Sequence, residues 1–232
     1  MKQIIAIGGG GFGRAINDLK IETYIKSQCK FDNPKICFIP TATGDDKQYI
    51  DNFYKAFDSL DCHTSHIDFF KRTINLRNHI LKQDIIYVGG GNTKSMLAVW
   101  QEWELDVILR EAYQNNIIMS GVSAGAICWF DQGITDSWKD RQAIIDCMGF
   151  VSGVCCPHYD EEPERIPFVK KVLIDKSINE CIAIEGYAAL HYINDKPKYV
   201  VSFGKKKTAH KVLLSENKIL HKAFNDINKV KL

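Results

Sequence analysis

No stretch of this 232-residue chain approaches the roughly 20 consecutive apolar residues that a membrane-spanning helix needs. The apolar run near the start, Ile4-Ile5-Ala6-Ile7, is too short for the core of a secretory signal and leads into glycines rather than a cleavage site. An excess of one charge is also lacking. Thirty basic residues stand against 28 acidic ones, a net charge of +2, so no field points to nucleic acid or a membrane surface. The short cluster Lys205-Lys206-Lys207 reads as a solvated turn. Eight cysteines (29, 37, 62, 128, 147, 155, 156 and 181) are scattered, several inside apolar segments, without the spacing of a disulfide framework. Proline is scarce, and there is no linker, repeat or low-complexity segment. What remains is a reduced, cytoplasmic protein forming one domain over residues 1–232, as a monomer or homodimer.

The chain does carry short apolar strands alternating with amphipathic helices. Strands are expected at 3–7, 35–40, 63–67 and 84–88, and in the run that ends at Met119. Between them, helical apolar spacing covers 14–28, with Ala15, Ile16, Leu19, Tyr24 and Ile25, and 45–60, with Tyr49, Ile50, Phe53, Phe57 and Leu60. Further helices are expected at 93–99 and 103–115. Short connections between apolar strands imply an α/β fold with a parallel sheet covered on both faces, its function lying at the carboxyl ends of the strands. After residue 140, strands at 143–145, 181–184, 188–193, 199–203 and 211–214, broken by one helix near 163–176, read as partly antiparallel additions to the same sheet.

Glycine marks the places where chemistry is expected. Gly8, Gly10 and Gly13 give a literal G-x-G-x-x-G after the first strand. A dinucleotide site wants a carboxylate at the end of the second strand, and here that strand ends Pro40-Thr41-Ala42-Thr43. The loop reads instead as one that passes close to the active end of the sheet. Gly89-Gly90-Gly91 follows the fourth strand and can offer bare backbone N–H groups. The fifth strand runs into Gly121-Val122-Ser123-Ala124-Gly125, the form of a nucleophile elbow, expected to lead into a helix. Such a turn strains the serine and brings strand and helix too close for side chains, which the glycines permit.

A serine hydroxyl needs a base to take its proton, and the base wants a carboxylate. Of the seven histidines, only His158 sits in a special context, just past the proline that ends Val154-Cys155-Cys156-Pro157. A metal held by Cys155, Cys156 and His158 is not expected, because no second ligand pair follows at short spacing. His63 and His66 read as polar residues of an edge strand, with no third ligand nearby.

Three segments, Val88-Gly89-Gly90-Gly91-Asn92-Thr93, Gly121-Val122-Ser123-Ala124-Gly125-Ala126 and Cys156-Pro157-His158-Tyr159, together resemble the peptidase E family of serine peptidases. Their order and separations fit, and the likeness covers nearly the whole chain. It implies a three-layer sandwich with a mostly parallel, flavodoxin-like central sheet, related to class I glutamine amidotransferases, and additional C-terminal strands. It also implies hydrolysis of small peptides without cofactor or metal, with Ser123 as nucleophile, His158 as base, and Gly90 and Ala124 as oxyanion donors. The family places an aspartate a little over a dozen residues after the serine, and Asp136 stands thirteen positions after Ser123. Glu185, in Ile184-Glu185-Gly186, also resembles a family position, and Asp160 follows the base by two residues. Asp131 is expected on the elbow helix, in solvent.

One departure bears on substrate. The family's aspartyl dipeptidases carry an arginine between the serine and the triad aspartate, whereas Trp129-Phe130-Asp131-Gln132-Gly133-Ile134-Thr135 holds no cation. An aspartate side chain buried there would be left unpaired, which argues against strict Asp-X specificity unless Arg141 or Arg165 approaches from elsewhere. Glu161, Glu162 and Glu164 read as a solvated acidic loop, or as partners for a substrate ammonium group. Two rival functions share parts of this pattern. An α/β-hydrolase esterase has the same elbow but places its histidine near the C-terminus, whereas about seventy residues follow His158. A non-catalytic module would hold a nucleotide or metabolite on the glycine loops.

Overall fold

Alternate residues of the first strand are apolar on both sides, and the architecture follows from that. In the computed structural model, which describes residues 1–216, 218–224 and 227–232, β1 (Gln3–Ile7) buries Ile4 and Ala6 in one core and Ile5 and Ile7 in another. A strand buried on both faces needs cover on both, and the chain supplies it in order. After β1 come α1 (Lys20–Ser27), β2 (Lys35–Ile39), α2 (Lys47–Asp58), β3 (His63–His66), α3 (Leu76–Ile80), β4 (Ile85–Val88), α4 (Thr93–Glu102), α5 (Leu105–Gln114) and β5 (Ile118–Val122). Helices α1 and α2 pack on one face of the sheet through Ile21, Ile25, Phe53 and Phe57. Met96, Trp100, Leu105 and Leu109 of α4 and α5 pack on the other. β1, β5, β4, β2 and β3 lie side by side and parallel.

Two expected helices depart from expectation, the first starting later than its apolar spacing suggests and the elbow helix being very short. Residues 14–19 form turns and irregular chain rather than the start of α1; the Gly11 carbonyl accepts from both the Arg14 and Ala15 amides, and α1 begins only at Lys20. The elbow helix, α6 (Ala124–Ile127), lasts a single turn. The chain then enters β6 (Phe130–Trp138), which places Asp131 on a strand, where its carboxylate accepts from the Gly153 amide. Gly133 lets that strand pass against α6. A Cβ built on it would lie 1.9 Å from Ile127 Cγ2.

The later strands do not all join the first sheet, which corrects the expectation from sequence. β6, β7 (Arg141–Asp146), β8 (Val151–Pro157) and β9 (Glu180–Ile184) belong to a second, six-stranded sheet. Helix α7 (Arg165–Ile174) lies between β8 and β9 in the chain. Only β10 (Ala188–Ile193), β11 (Lys196–Ser202) and β14 (Asn228–Lys231) extend the first sheet, while β12 (Ala209–Ser215) and β13 (Lys218–Lys222) complete the second. The reason lies in the side chains of β8. Cys155 faces the core shared with the first sheet, and its neighbour Cys156 faces a separate core under α7 with Val169, Val172 and Leu173. A strand apolar on both faces needs a layer on each side, and β8 has the core shared with the first sheet on one face and α7 on the other. The α/β class and parallel centre stand as expected. Among the described residues, no helix is long and apolar enough to cross a membrane.

Candidate active site

The carboxyl ends of β1, β4 and β5 lie together, because Ile7 pairs with Val122 and Val88 with Gly121. Three glycine-bearing turns therefore meet at one point. At the elbow, a Cβ on Gly121 would come 2.3 Å from the Gly125 carbonyl oxygen, and one on Gly125 would come 2.2 Å from that of Val88. No side chain fits either place. Ser123 is held at φ 57° and ψ −113°, its amide bound to the Ile7 carbonyl at 3.0 Å. A non-glycine residue there stores about 1–3 kcal/mol of strain, and the return is a hydroxyl presented at the tip of the turn.

His158 reaches that hydroxyl from the other sheet, standing one residue beyond the end of β8. Its Nε2 lies 2.6 Å from Ser123 Oγ, and its Nδ1 lies 3.1 Å from Glu161 Oε2. The carboxylate favours the tautomer with the proton on Nδ1, which leaves Nε2 free to accept from the serine. Burial pushes the imidazole below its ordinary pKa of 6.5. The Glu161 hydrogen bond and the charge of Glu162 oppose that shift, and the charges of Arg14 and Arg165 add to it.

The glycines of the first loop and of the β9–β10 crossing make room for this pair. A Cβ on Gly9 would lie 2.7 Å from His158 Nδ1, and one on Gly186 would lie 2.0 Å from Glu161 Cδ. The glycines of the G-x-G-x-x-G pattern make other approaches: a Cβ on Gly8 would lie 2.2 Å from the Glu185 carbonyl oxygen, one on Gly10 3.0 Å from Tyr187 Cδ1 and one on Gly13 2.8 Å from Tyr49 Cε2. From behind, buried Glu22 pins the same loop, accepting from the Phe12 amide at 2.7 Å, and burial raises its pKa to about 7.

Around Ser123 opens a cavity of about 410 Å³ bounded by Arg14, Thr43, Asp46, Tyr49 and Asn52, among others. The Gly90 backbone lies against the serine, where a Cβ would come 3.1 Å from Ser123 Cβ, and its amide donates to the Tyr49 hydroxyl at 3.4 Å. The Ala124 amide, first in α6, makes no hydrogen bond among the described residues.

Asp136 does not join His158, and the expectation that it orients the imidazole is corrected. Its carboxylate is more than half exposed and pairs with Arg165 at 3.3 Å. It extends from β6, whereas the imidazole's Nδ1 turns toward the residues that follow His158 in its own turn. Glu185 is likewise committed elsewhere, accepting from the Thr208 amide at 3.0 Å. Asp160 accepts from Gly186 and pairs with Lys207. Two of the three glutamates are engaged rather than simply solvated: Glu161 serves His158 and Arg14, and Glu162 pairs with Arg165, while Glu164 is exposed. Buried Arg165 is saturated by Glu162, Gln142 and the Ile134 carbonyl, while Arg141 stacks on Trp138. The cation at the cavity is Arg14, a residue that no motif marks. The only sequence signal for Glu161 is a carboxylate three residues past the base, within reach across one turn.

Comparison with known proteins identifies the family and the fold. The model of peptidase family S51 matches residues 4–200. The uncharacterized peptidase YgaJ of Bacillus subtilis (strain 168) is 45% identical over 220 residues, covering 94% of this chain and 95% of that protein. Among solved structures, a candidate peptidase E from Listeria monocytogenes EGD-e superposes with a TM-score of 0.64 at 19% identity, covering 93% of this chain and all of that one. A peptidase from an acI-B1 Actinobacterium gives 0.64 at 17% identity, covering 95% and 93%. At these identities the two structures speak for the fold.

Proposed function

We propose that this chain, which belongs to peptidase family S51, cleaves small peptides through an acyl-enzyme on Ser123. The observation that carries the reading is the 2.6 Å approach of His158 Nε2 to the Ser123 hydroxyl at the tip of the elbow, with Glu161 behind the imidazole. Ser123 Oγ attacks the substrate carbonyl carbon while its proton passes to Nε2. The resulting oxyanion takes the Ala124 amide and the Gly90 amide, whose long bond to Tyr49 it displaces. As the C–N bond breaks, Nε2 returns the proton to the leaving amine. Water, deprotonated by the same nitrogen, then attacks the ester and restores the serine. Glu161 keeps the imidazole in the right tautomer and stabilises its cation, the task that the sequence suggested for Asp136. None of these steps calls on a metal or organic cofactor. We place the enzyme in the cytoplasm, consistent with its unpaired buried thiols.

Labelling by a fluorophosphonate tests the nucleophile. The wild type is expected to label, and Ser123→Ala and His158→Ala are expected to abolish labelling. Undiminished labelling of Ser123→Ala would overturn the assignment.

A further inference from the structure

The proposed chemistry uses the Gly90 amide and leaves out the side chain on which that amide rests. Tyr49 stands in the first turn of α2, where Asp46 Oδ1 accepts from its amide at 2.8 Å. Its ring is held between Phe12 of the glycine loop, with centroids 5.2 Å apart, and Phe38 of β2, at 5.0 Å. Both phenylalanines are buried, so the phenol is kept at one place on the wall of the Ser123 cavity. The three glycines between β4 and α4 have no side chains to fix their peptide planes. Beyond them, the Asn92 amide donates to the Ala42 carbonyl at 2.7 Å. The Gly90 N–H is held by Tyr49 alone, whose hydroxyl oxygen accepts it at 3.4 Å. The hydrogen of that hydroxyl meets no acceptor among the described residues. The neighbouring wall is Gly13, where an added Cβ would lie 3.2 Å from the same oxygen, so no side chain at that position covers it. Burial pushes the phenol's pKa up to about 12, against the pull of the Gly90 hydrogen bond, and the hydroxyl therefore keeps its proton at neutral pH.

We infer that the Tyr49 hydroxyl is a third oxyanion donor, a catalytic group beside the Gly90 and Ala124 amides. The inference rests on the serine-peptidase reading of the same site. An amide N–H points at whatever accepts from it, so an oxyanion held by Gly90 must come to lie beside the Tyr49 oxygen. On arrival it takes the Gly90 N–H, and Tyr49 gives up one long incoming bond. The O–H then turns about its C–O bond toward the same negative oxygen. No proton is transferred. The phenol donates a hydrogen bond that a neutral carbonyl would receive more weakly, so the contact favours the transition state over the bound substrate. Little reorganisation is needed, because Phe12 and Phe38 already hold the ring. In the sequence, Tyr49 belongs to the apolar face of α2 with Ile50, Phe53 and Phe57, and its hydroxyl gives that core position a second use.

The test is the second-order rate of fluorophosphonate labelling in wild type, Tyr49→Phe and Ser123→Ala, with the thermal midpoint of each. Phosphonylation of the serine builds negative charge on the phosphoryl oxygen in the same place, so no peptide substrate need be known. Tyr49→Phe keeps the ring and its packing and removes only the hydroxyl. Its labelling is expected to be about ten- to a hundredfold slower than wild type, at a nearly unchanged midpoint, a smaller loss than removal of a main oxyanion donor causes. A protein carrying 3-fluorotyrosine in place of Tyr49 separates donation from support, and it answers alone if Tyr49→Phe fails to fold. The more acidic phenol is a better donor and is expected to label at least as fast as wild type. A hydroxyl that only props Gly90 would become a poorer acceptor and label more slowly. An unchanged rate in Tyr49→Phe, or slower labelling with fluorotyrosine, would overturn the inference. Labelling that still depends on Ser123 confines such a failure to Tyr49. Labelling independent of Ser123, or none in wild type, removes the peptidase mechanism and the inference with it.

Discussion

His158, Glu161 and Asp136 differ in what each can be asked to do. Burial holds the imidazole below pKa 6.5, so under the proposed mechanism a base that must be neutral would stay active into mildly acidic solution. The acid limb of kcat/KM is therefore expected below pH 6.5. Glu161 opposes that depression, so Glu161→Gln should move the limb further down and cut kcat by about 10²–10⁴-fold, as loss of a triad carboxylate does. Asp136→Asn should leave both nearly unchanged. A pH–rate series on the three proteins checks this, and a large loss in Asp136→Asn with none in Glu161→Gln would reverse the assignment. Stability follows the same sign. The folded state binds fewer protons than the unfolded one near the unfolded pKa of about 6.5. The contribution of His158 is thus complete above that pH and is lost as the pH falls below it.

At the scale of elements, the strand–turn–helix unit of β5 and α6 is closed by backbone rather than side chains. A methyl group at Gly121 meets a carbonyl at 2.3 Å, and neither the strand nor the one-turn helix can retreat. Gly121→Ala is expected to cost about 1–3 kcal/mol of stability, the range for overpacking, seen as a lowered urea midpoint at constant m-value. An unmoved midpoint would show that the turn is looser than its contacts indicate. The brevity of α6 explains why its length was not legible. Four helical residues leave no periodicity to read, and Phe130-Asp131-Gln132-Gly133-Ile134 carries strand and turn residues in a mixture that only the packing of Gly133 on Ile127 resolves.

For the whole molecule, the serine belongs to one sheet and the histidine to the other. They are held in register where the chain crosses from β9 to β10 through Glu185-Gly186-Tyr187, whose backbone lies against the glycine loop. Gly186 sits at the crossing, where an added Cβ would meet Glu161 Cδ at 2.0 Å. That atom is the end of a rotatable side chain, so Glu161 can turn away where the backbone at Gly121 cannot. Gly186→Ala is therefore expected to lose activity nearly as far as Glu161→Gln, with its thermal midpoint shifted by only a few degrees. A stable variant with full activity would show that Glu161 is not confined there.

Periodicity and turn chemistry were enough to read the parallel centre of the first sheet, the elbow at Ser123 and the prominence of His158, because strands buried on both faces, glycine turns and a proline stop are local patterns. The partition of the later strands into two sheets was not local, since it depends on which layer is free to cover each face. The carboxylate at His158 and the cation beside it were likewise decided only in three dimensions. Asp136 and Glu161 are both acidic residues at plausible separations, and chain distance does not say which way an imidazole nitrogen points. Arg14 belongs to no motif, and its place on the cavity wall follows from the irregular path of the chain between the glycine loop and α1.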